Sequence, residues 1–242
     1  MSWVQSKLMP SRLAVVALLA VTAAPAAAEV LVVRSSGPSA GSYPPGRQLP
    51  DNARIALRQG DTLVVLDARG TRTFRGPGTY SPAQAAPMGT RTVEGTSGRR
   101  ARIGAVRSAG IVPASPTTIW HVDVTQGGTM CLPGTASPML WRADSTEAQR
   151  LTVTGPGGAS ETVDWPAGES TLAWPAGVPV ADGADYRFSH SGSPVPQTIR
   201  VKLLGAIDSD LAAIAGTLIE NGCSEQLELL VETAPTDPAS GA

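Results

Sequence analysis

Short runs of β-forming residues recur along the second half of the chain, separated by turn sequences such as Gly155-Pro156-Gly157-Gly158. Two Trp-Pro-Ala-Gly segments, Trp165–Gly168 and Trp174–Gly177, each place Pro and Gly at positions typical of a type I turn. Short strands with regular turn signals predict a mainly β fold, and here a β-sandwich of immunoglobulin-like arrangement over residues 114–205. The runs are Ile119–Val124, Thr129–Leu132, Met139–Ala143, Leu151–Thr154, Thr162–Trp165, Thr171–Trp174, Tyr186–His190 and Thr198–Leu204.

A helical pattern follows the last of these runs. Leu211, Ile214, Leu218 and their neighbours repeat at helical spacing, and this repeat predicts one apolar stripe. Asp208 is the predicted N-cap of this helix, and Ser224 that of a second short helix. The sequence thus predicts a short α-helical tail over 206–232, followed by a disordered end over 233–242.

A smaller β module is predicted at residues 29–81. Val30–Val33 is the first strand, and Thr62–Leu66 and Thr71–Arg75 flank an Asp-Ala-Arg-Gly turn. The glycines of this stretch do not form a phosphate-binding loop, because Gly70 and Gly76 have the wrong spacing and neither a lysine nor a helix follows. They are predicted to serve the turns.

The order L-x-x-GD-x-L-x-V-L-D-x-x-GTR-x-F-x-GPG-x-Y, over residues 57–80, resembles FecR-type periplasmic β domains. The resemblance consists mainly of turn and strand signals, and it implies a small periplasmic β module. FecR-type regulators also carry a cytoplasmic helical segment and a membrane span before this domain. This chain has a signal-like segment in their place.

The N-terminal 28 residues have the pattern of a cleaved signal peptide. Lys7 and Arg12 precede an apolar stretch from Leu13 to Val21, and the segment closes on Ala26-Ala27-Ala28. An uncleaved membrane anchor is the alternative, but a span needs about 20 apolar residues and this run is shorter. The pattern predicts export to the periplasm, with no transmembrane span after cleavage.

The two cysteines, Cys131 and Cys223, fit an exported protein. An even number of cysteines in an oxidising compartment predicts a disulfide between them. Two buried free thiols are the alternative. A metal site is disfavoured because no second Cys or His lies within metal-ligand spacing of either residue.

Charge is distributed unevenly along the chain. Residues 29–110 contain 12 arginines, no lysine and 5 acidic residues, whereas residues 111–242 contain 5 basic and 15 acidic residues. The Arg/Gly/Pro-rich stretch 82–113 is predicted to be a connector, and Arg99, Arg100, Arg102 and Arg107 cluster in it. Arginine forks bind carboxylates and phosphates, so this cluster is the predicted docking site for an anionic partner, an anionic envelope polymer or the acidic second module. Ordinary solvated charge is the alternative.

Catalytic patterns are weak. Gly37–Gly41 matches G-x-S-x-G around Ser39, but a nucleophile elbow must enter a helix, and Ser42-Tyr43-Pro44-Pro45 follows instead. His121, Asp123 and His190 would form a metal or general-base site only if their strands were neighbours. Two structural histidines are the favoured interpretation, so no catalytic, metal or cofactor site is predicted.

Tryptophan is the remaining sequence signal. Trp165 and Trp174 lie at predicted strand ends, where exposed rings would form a binding platform for sugars or peptides. Packing in the sandwich core is the alternative.

Together these features predict an exported, non-catalytic envelope protein that binds, senses or serves as a scaffold in a periplasmic assembly. Its expected partner is an envelope protein or anionic polymer, with no nucleic acid and no cofactor. A periplasmic hydrolase that acts on envelope material is the alternative.

Overall fold

The computed structural model describes residues 29–82, 115–134, 137–191 and 193–236. Over these residues the fold is mainly β, with two helices near the C-terminus, as predicted. The signal-like segment, the arginine cluster at Arg99–Arg107 and residues 237–242 lie outside the described residues. No helix in the described part of the chain has the length and apolar character that crossing a membrane requires.

The N-terminal module forms a four-stranded antiparallel sheet, in the order β2-β1-β4-β5, and a two-stranded sheet of β3 and β6. Both faces of the larger sheet are buried. Val30, Val32 and Leu63 pack on the smaller sheet, while Leu31 and Leu66 point to the helices. This explains why β1 and β4 are continuous apolar runs. The strands are β1 (Glu29–Ser36), β2 (Gln48–Pro50), β3 (Ile55–Leu57), β4 (Thr62–Asp67), β5 (Gly70–Arg75) and β6 (Gly78–Tyr80).

The predicted hairpin is confirmed as β4 and β5, which pair in register from Thr62 opposite Arg75 to Asp67 opposite Gly70. At its start the buried carboxylate of Asp61 accepts hydrogen bonds from the backbone N–H groups of Ser39 and Arg58. The aspartate of the FecR-like pattern therefore closes a turn in this chain.

The second module contains a five-stranded sheet in the order β11-β10-β13-β14-β8 and a three-stranded sheet in the order β12-β9-β7. Side chains from both sheets, such as Leu140, Val153 and Phe188, share one core cluster. Two pairs, β8 with β14 and β7 with β9, are parallel, and β7 and β8 are both edge strands. The immunoglobulin-like arrangement stays a prediction. The strands are β7 (His121–Asp123), β8 (Gly128–Pro133), β9 (Met139–Trp141), β10 (Gln149–Thr154), β11 (Ser160–Trp165), β12 (Thr171–Ala173), β13 (Asp185–His190) and β14 (Gln197–Leu204).

The helices α1 (Leu211–Glu220) and α2 (Ser224–Thr233) touch both β modules. Helix α1 contacts β1 and β4, whereas α2 contacts β8 and α1. One apolar cluster accordingly joins Leu66 of the first module, Cys131 of the second module and Leu218 and Leu230 of the helices. The helical tail is therefore a shared layer that ties the two modules together.

Three predicted details of the tail differ from the structure. Asp210, not Asp208, caps α1, because the helix begins at Leu211 and the Asp210 carboxylate accepts the Ala213 N–H at 3.0 Å. Ser224 is the first residue of α2 rather than its cap. Thr233 belongs to α2, and the carbonyl of Pro235 accepts the Thr71 N–H at 2.8 Å, so Pro235 and Thr236 are held on β5 by backbone pairing that the sequence did not reveal.

Candidate functional site

A cleft of about 240 Å³ lies beside the edge strands β7 and β8, with α2 as its opposite wall. We call it the β7–α2 cleft. Its apolar lining comes from Ile119, Val122, Met130, Ile199 and Leu229. Its polar lining comes from Ser115, His121, Asp123, Gln126, Thr129 and Gln226, with Glu225, Glu228 and Glu232 from α2. It therefore combines an apolar floor with a largely acidic rim.

Gln226 joins the three walls of the cleft. This residue is buried, and its side-chain oxygen accepts the Cys131 N–H at 2.6 Å. Its side-chain nitrogen donates to the carbonyls of Ile119 at 2.7 Å and Cys131 at 2.8 Å. A primary amide suits this position because it donates and accepts at once, whereas an ionised Glu could only accept and Leu could form none of these bonds. Sequence reasoning missed Gln226, since a lone glutamine in a helix carries no motif.

The disulfide lies directly beside this amide. Cys131 in β8 and Cys223 before α2 are bonded; their Cα atoms are 6.0 Å apart, and the two residues are 92 positions apart in sequence. The predicted pairing is confirmed. The bond and the Gln226 hydrogen bonds both hold α2 against β8, so together they define the width of the cleft.

His121 and Asp123 lie on the same face of β7 and line the cleft. The Asp123 carboxylate accepts the Thr125 N–H at 2.8 Å and its hydroxyl at 2.6 Å. Burial raises the pKa of Asp123 above its usual 3.8, although the Thr125 hydrogen bonds oppose this effect. Burial lowers the pKa of His121 below its usual 6.5, and its Nδ1 has no hydrogen-bond partner among the described residues. The imidazole is therefore neutral at neutral pH. The Asp123 carboxylate is hydrogen-bonded to Thr125 and does not orient the His121 ring.

The acidic rim is only partly paired. Glu228 forms an ion pair with Arg34 of β1, in which the Arg34 Nε donates to Oε1 at 3.3 Å. Glu225 and Glu232 are exposed on α2 and form no ion pair within the described part of the chain. Together with Asp123 they leave an excess of negative charge along the cleft.

The residues weighed as an alternative metal or general-base site are not brought together. In the described part of the chain His190 lies in β13 between β10 and β14, whereas β7 pairs with β9, so the strands are not neighbours and the alternative site of His121, Asp123 and His190 does not form. Over residues 29–82, 115–134, 137–191 and 193–236, no three His, Cys, Asp or Glu side chains form a group that could hold a metal ion. Ser39 precedes a single 3-10 turn, Ala40–Ser42, and this turn is not the helix that a nucleophile elbow requires.

The two candidate platform tryptophans both pack against the core of the second module. Trp165 is only 1% exposed, and the guanidinium of the buried Arg142 lies 4.8 Å from its ring centre. Trp174 is partly buried, meets Tyr186 edge-on at 5.1 Å and donates from Nε1 to the Val178 carbonyl at 2.7 Å. This packing agrees with the core alternative. The sequence did not reveal Arg142, because a buried arginine with backbone carbonyls as acceptors leaves no pattern.

The partly buried imidazole of His121 makes a testable contribution to the pH dependence of stability. Because its pKa is lower in the folded chain, His121 contributes stability that is present above pH 6.5 and is lost as the pH falls through the lowered value. We expect the free energy of unfolding of the native chain to fall more, from pH 7.5 to pH 5, than that of His121→Gln. Urea titrations at both pH values measure this. His190→Gln is the matched control. If the free energy of unfolding of His121→Gln falls as much as that of the native chain, His121 is not the source of this pH dependence.

No match to this chain was found among protein-family models, curated proteins or solved structures.

Proposed function

We propose that this protein is an exported, non-catalytic envelope protein that binds a partner through the β7–α2 cleft, as a scaffold or sensing component of a periplasmic assembly. The observation that carries the proposal is the cleft itself. It has an apolar floor, two α2 carboxylates, Glu225 and Glu232, that form no ion pair with any described residue, and walls held in place by a disulfide and a buried amide. Concave, mostly apolar surfaces with a few convergent polar groups are the usual form of a binding site.

The sequence supports the compartment and the β module in this proposal. The N-terminal pattern is that of a signal peptide, and residues 57–80 resemble FecR-type periplasmic β domains. Arg99, Arg100, Arg102 and Arg107 are proposed as a second docking element, for an anionic envelope polymer or protein.

Site-specific photocrosslinking tests the cleft. A photoreactive residue at Gln126, within the cleft, is compared with one at Thr162 on β11, in cells of the native host. We expect a discrete adduct from position 126 that is absent from position 162 and is lost when Glu225 and Glu232 are changed to Lys. If both positions give the same adducts, or neither gives any, the cleft is not the binding site.

A hydrolase is the second candidate, because His121, Asp123 and Ser115 line the same cleft. The hydrolase candidate and the binding proposal predict different results for one variant. His121→Gln would abolish hydrolysis of purified envelope polymers while the Gln126 adduct is kept, whereas the binding proposal expects no hydrolysis by either protein.

A further inference from the structure

We infer that the element recognised in the β7–α2 cleft is an extended, basic peptide segment of a partner protein, which adds as a strand to the free edge of β8. This inference rests on the proposed binding function and names the chemistry of its ligand. Three features of the described residues support it: the backbone edge, the alternation of the floor and the charge of the rim.

Among the described residues, β8 is the edge strand of its sheet, and it borders the cleft. Cys131 directs its N–H and C=O away from β14, because both are bonded to the Gln226 side chain. Alternate residues of a strand direct their backbone groups to the same edge, so Thr129 presents its N–H and C=O to the cleft in the same way. Gln226 covers the edge at Cys131, and no other described residue forms a backbone hydrogen bond with this edge at Thr129. An edge with free donors and acceptors is a template for another strand.

The approach to this edge lacks side chains. Gly127 and Gly128 precede Thr129, and Gly128 has a φ of +116°, a conformation that other residues rarely adopt. A Cβ atom at Gly128 would have no heavy atom within 4 Å, so the space beside it is open. Another backbone can therefore come close to β8 here.

The apolar and acidic residues that line the cleft suit a bound strand whose side chains alternate between apolar and basic. Met130 and Leu229 supply apolar surface within the cleft, while Asp123, Glu225 and Glu232 supply carboxylates. A strand with basic side chains on one face and apolar side chains on the other would meet both sets. Arginine is favoured because its planar fork binds a carboxylate with two hydrogen bonds. Glu228 is excluded from this role, because Arg34 already neutralises it.

The probe is a synthetic nonapeptide of alternating arginine and valine, labelled for fluorescence anisotropy and titrated against the purified full mature chain with its disulfide intact. We expect saturable binding with one peptide per chain. Changing Glu225 and Glu232 to Lys should weaken it about tenfold. The matched control changes the exposed Glu147 and Glu220 to Lys, which alters the net charge equally outside the cleft. Equal losses in the two variants would show non-specific attraction and overturn the proposal.

The same peptide with alternate backbone nitrogens methylated tests strand addition. It keeps every charge and side chain but loses the N–H groups that would pair with β8, so we expect binding to disappear. Unchanged binding by the methylated peptide overturns strand addition. The proposed function stands in that case if position 126 gives an adduct that position 162 does not, and it fails if the two positions give the same adducts or neither gives any.

A third titration tests whether the arginine cluster of this chain itself occupies the cleft. The peptide is titrated against a variant with Arg99, Arg100, Arg102 and Arg107 changed to Ser. Equal affinity for the native chain and the variant supports a partner segment. Binding to the variant alone would mean that the native arginine cluster occupies the cleft, and this result would overturn the assignment to a partner.

Discussion

Replacing Cys131 and Cys223 together by alanine is expected to lower the free energy of unfolding by about 4 kcal/mol. The bond joins residues 92 positions apart, and a loop of this length strongly restricts the unfolded chain in the loop-entropy account. Both sulfurs are also fully buried in the cluster that joins the helices to the two modules. Urea denaturation of the native and double-alanine proteins at the same pH measures the difference.

Hydrogen exchange of the double-alanine variant would show which part of the chain loses stability first. We expect amides of α2 to lose protection first, because the bond is at its N-terminus, and amides of the β4–β5 hairpin to keep theirs longest. Reduced and alkylated native protein should behave like the double variant. Equal stability of the oxidised and double-alanine proteins would show that the remaining contacts of α2 suffice.

Gln226→Leu is expected to lower the free energy of unfolding by about 3 kcal/mol and to abolish binding in the cleft. Leucine fills a similar volume but leaves the N–H and C=O of Cys131 and the C=O of Ile119 buried without their partner. Because these groups belong to β8 and to the segment before β7, the loss loosens the contact of α2 with both walls of the cleft, although the disulfide still links α2 to β8.

The measurement pairs thermal unfolding with the anisotropy titration. Gln126→Leu is the matched control, because Gln126 lines the same cleft but is exposed, and it should leave stability within about 0.5 kcal/mol of native. A Gln226→Leu protein as stable as the control would show that water or a local shift satisfies the freed backbone groups.

Features that depend on near neighbours in sequence were predictable. The β4–β5 hairpin follows from an Asp-Ala-Arg-Gly turn between β-branched runs, and α1 follows from one apolar stripe. The disulfide was predictable for a different reason, because the chain has only two cysteines. Strand positions in the second module were likewise close to those observed, since each strand is bounded by its own turn signals.

The cleft could not be predicted, because it depends on contacts between distant residues. Gln226 bonds to Cys131 and Ile119, which lie 95 and 107 residues away. Neither the parallel pairing of β7 with β9 nor the position of α2 between the two modules leaves a local signal. Local propensity and turn chemistry act over a few residues, and they determined which segments of this protein are strands and helices. Only packing, which buries apolar faces and pairs buried polar groups across the whole chain, decided that β8, β7 and α2 would enclose one acidic cleft.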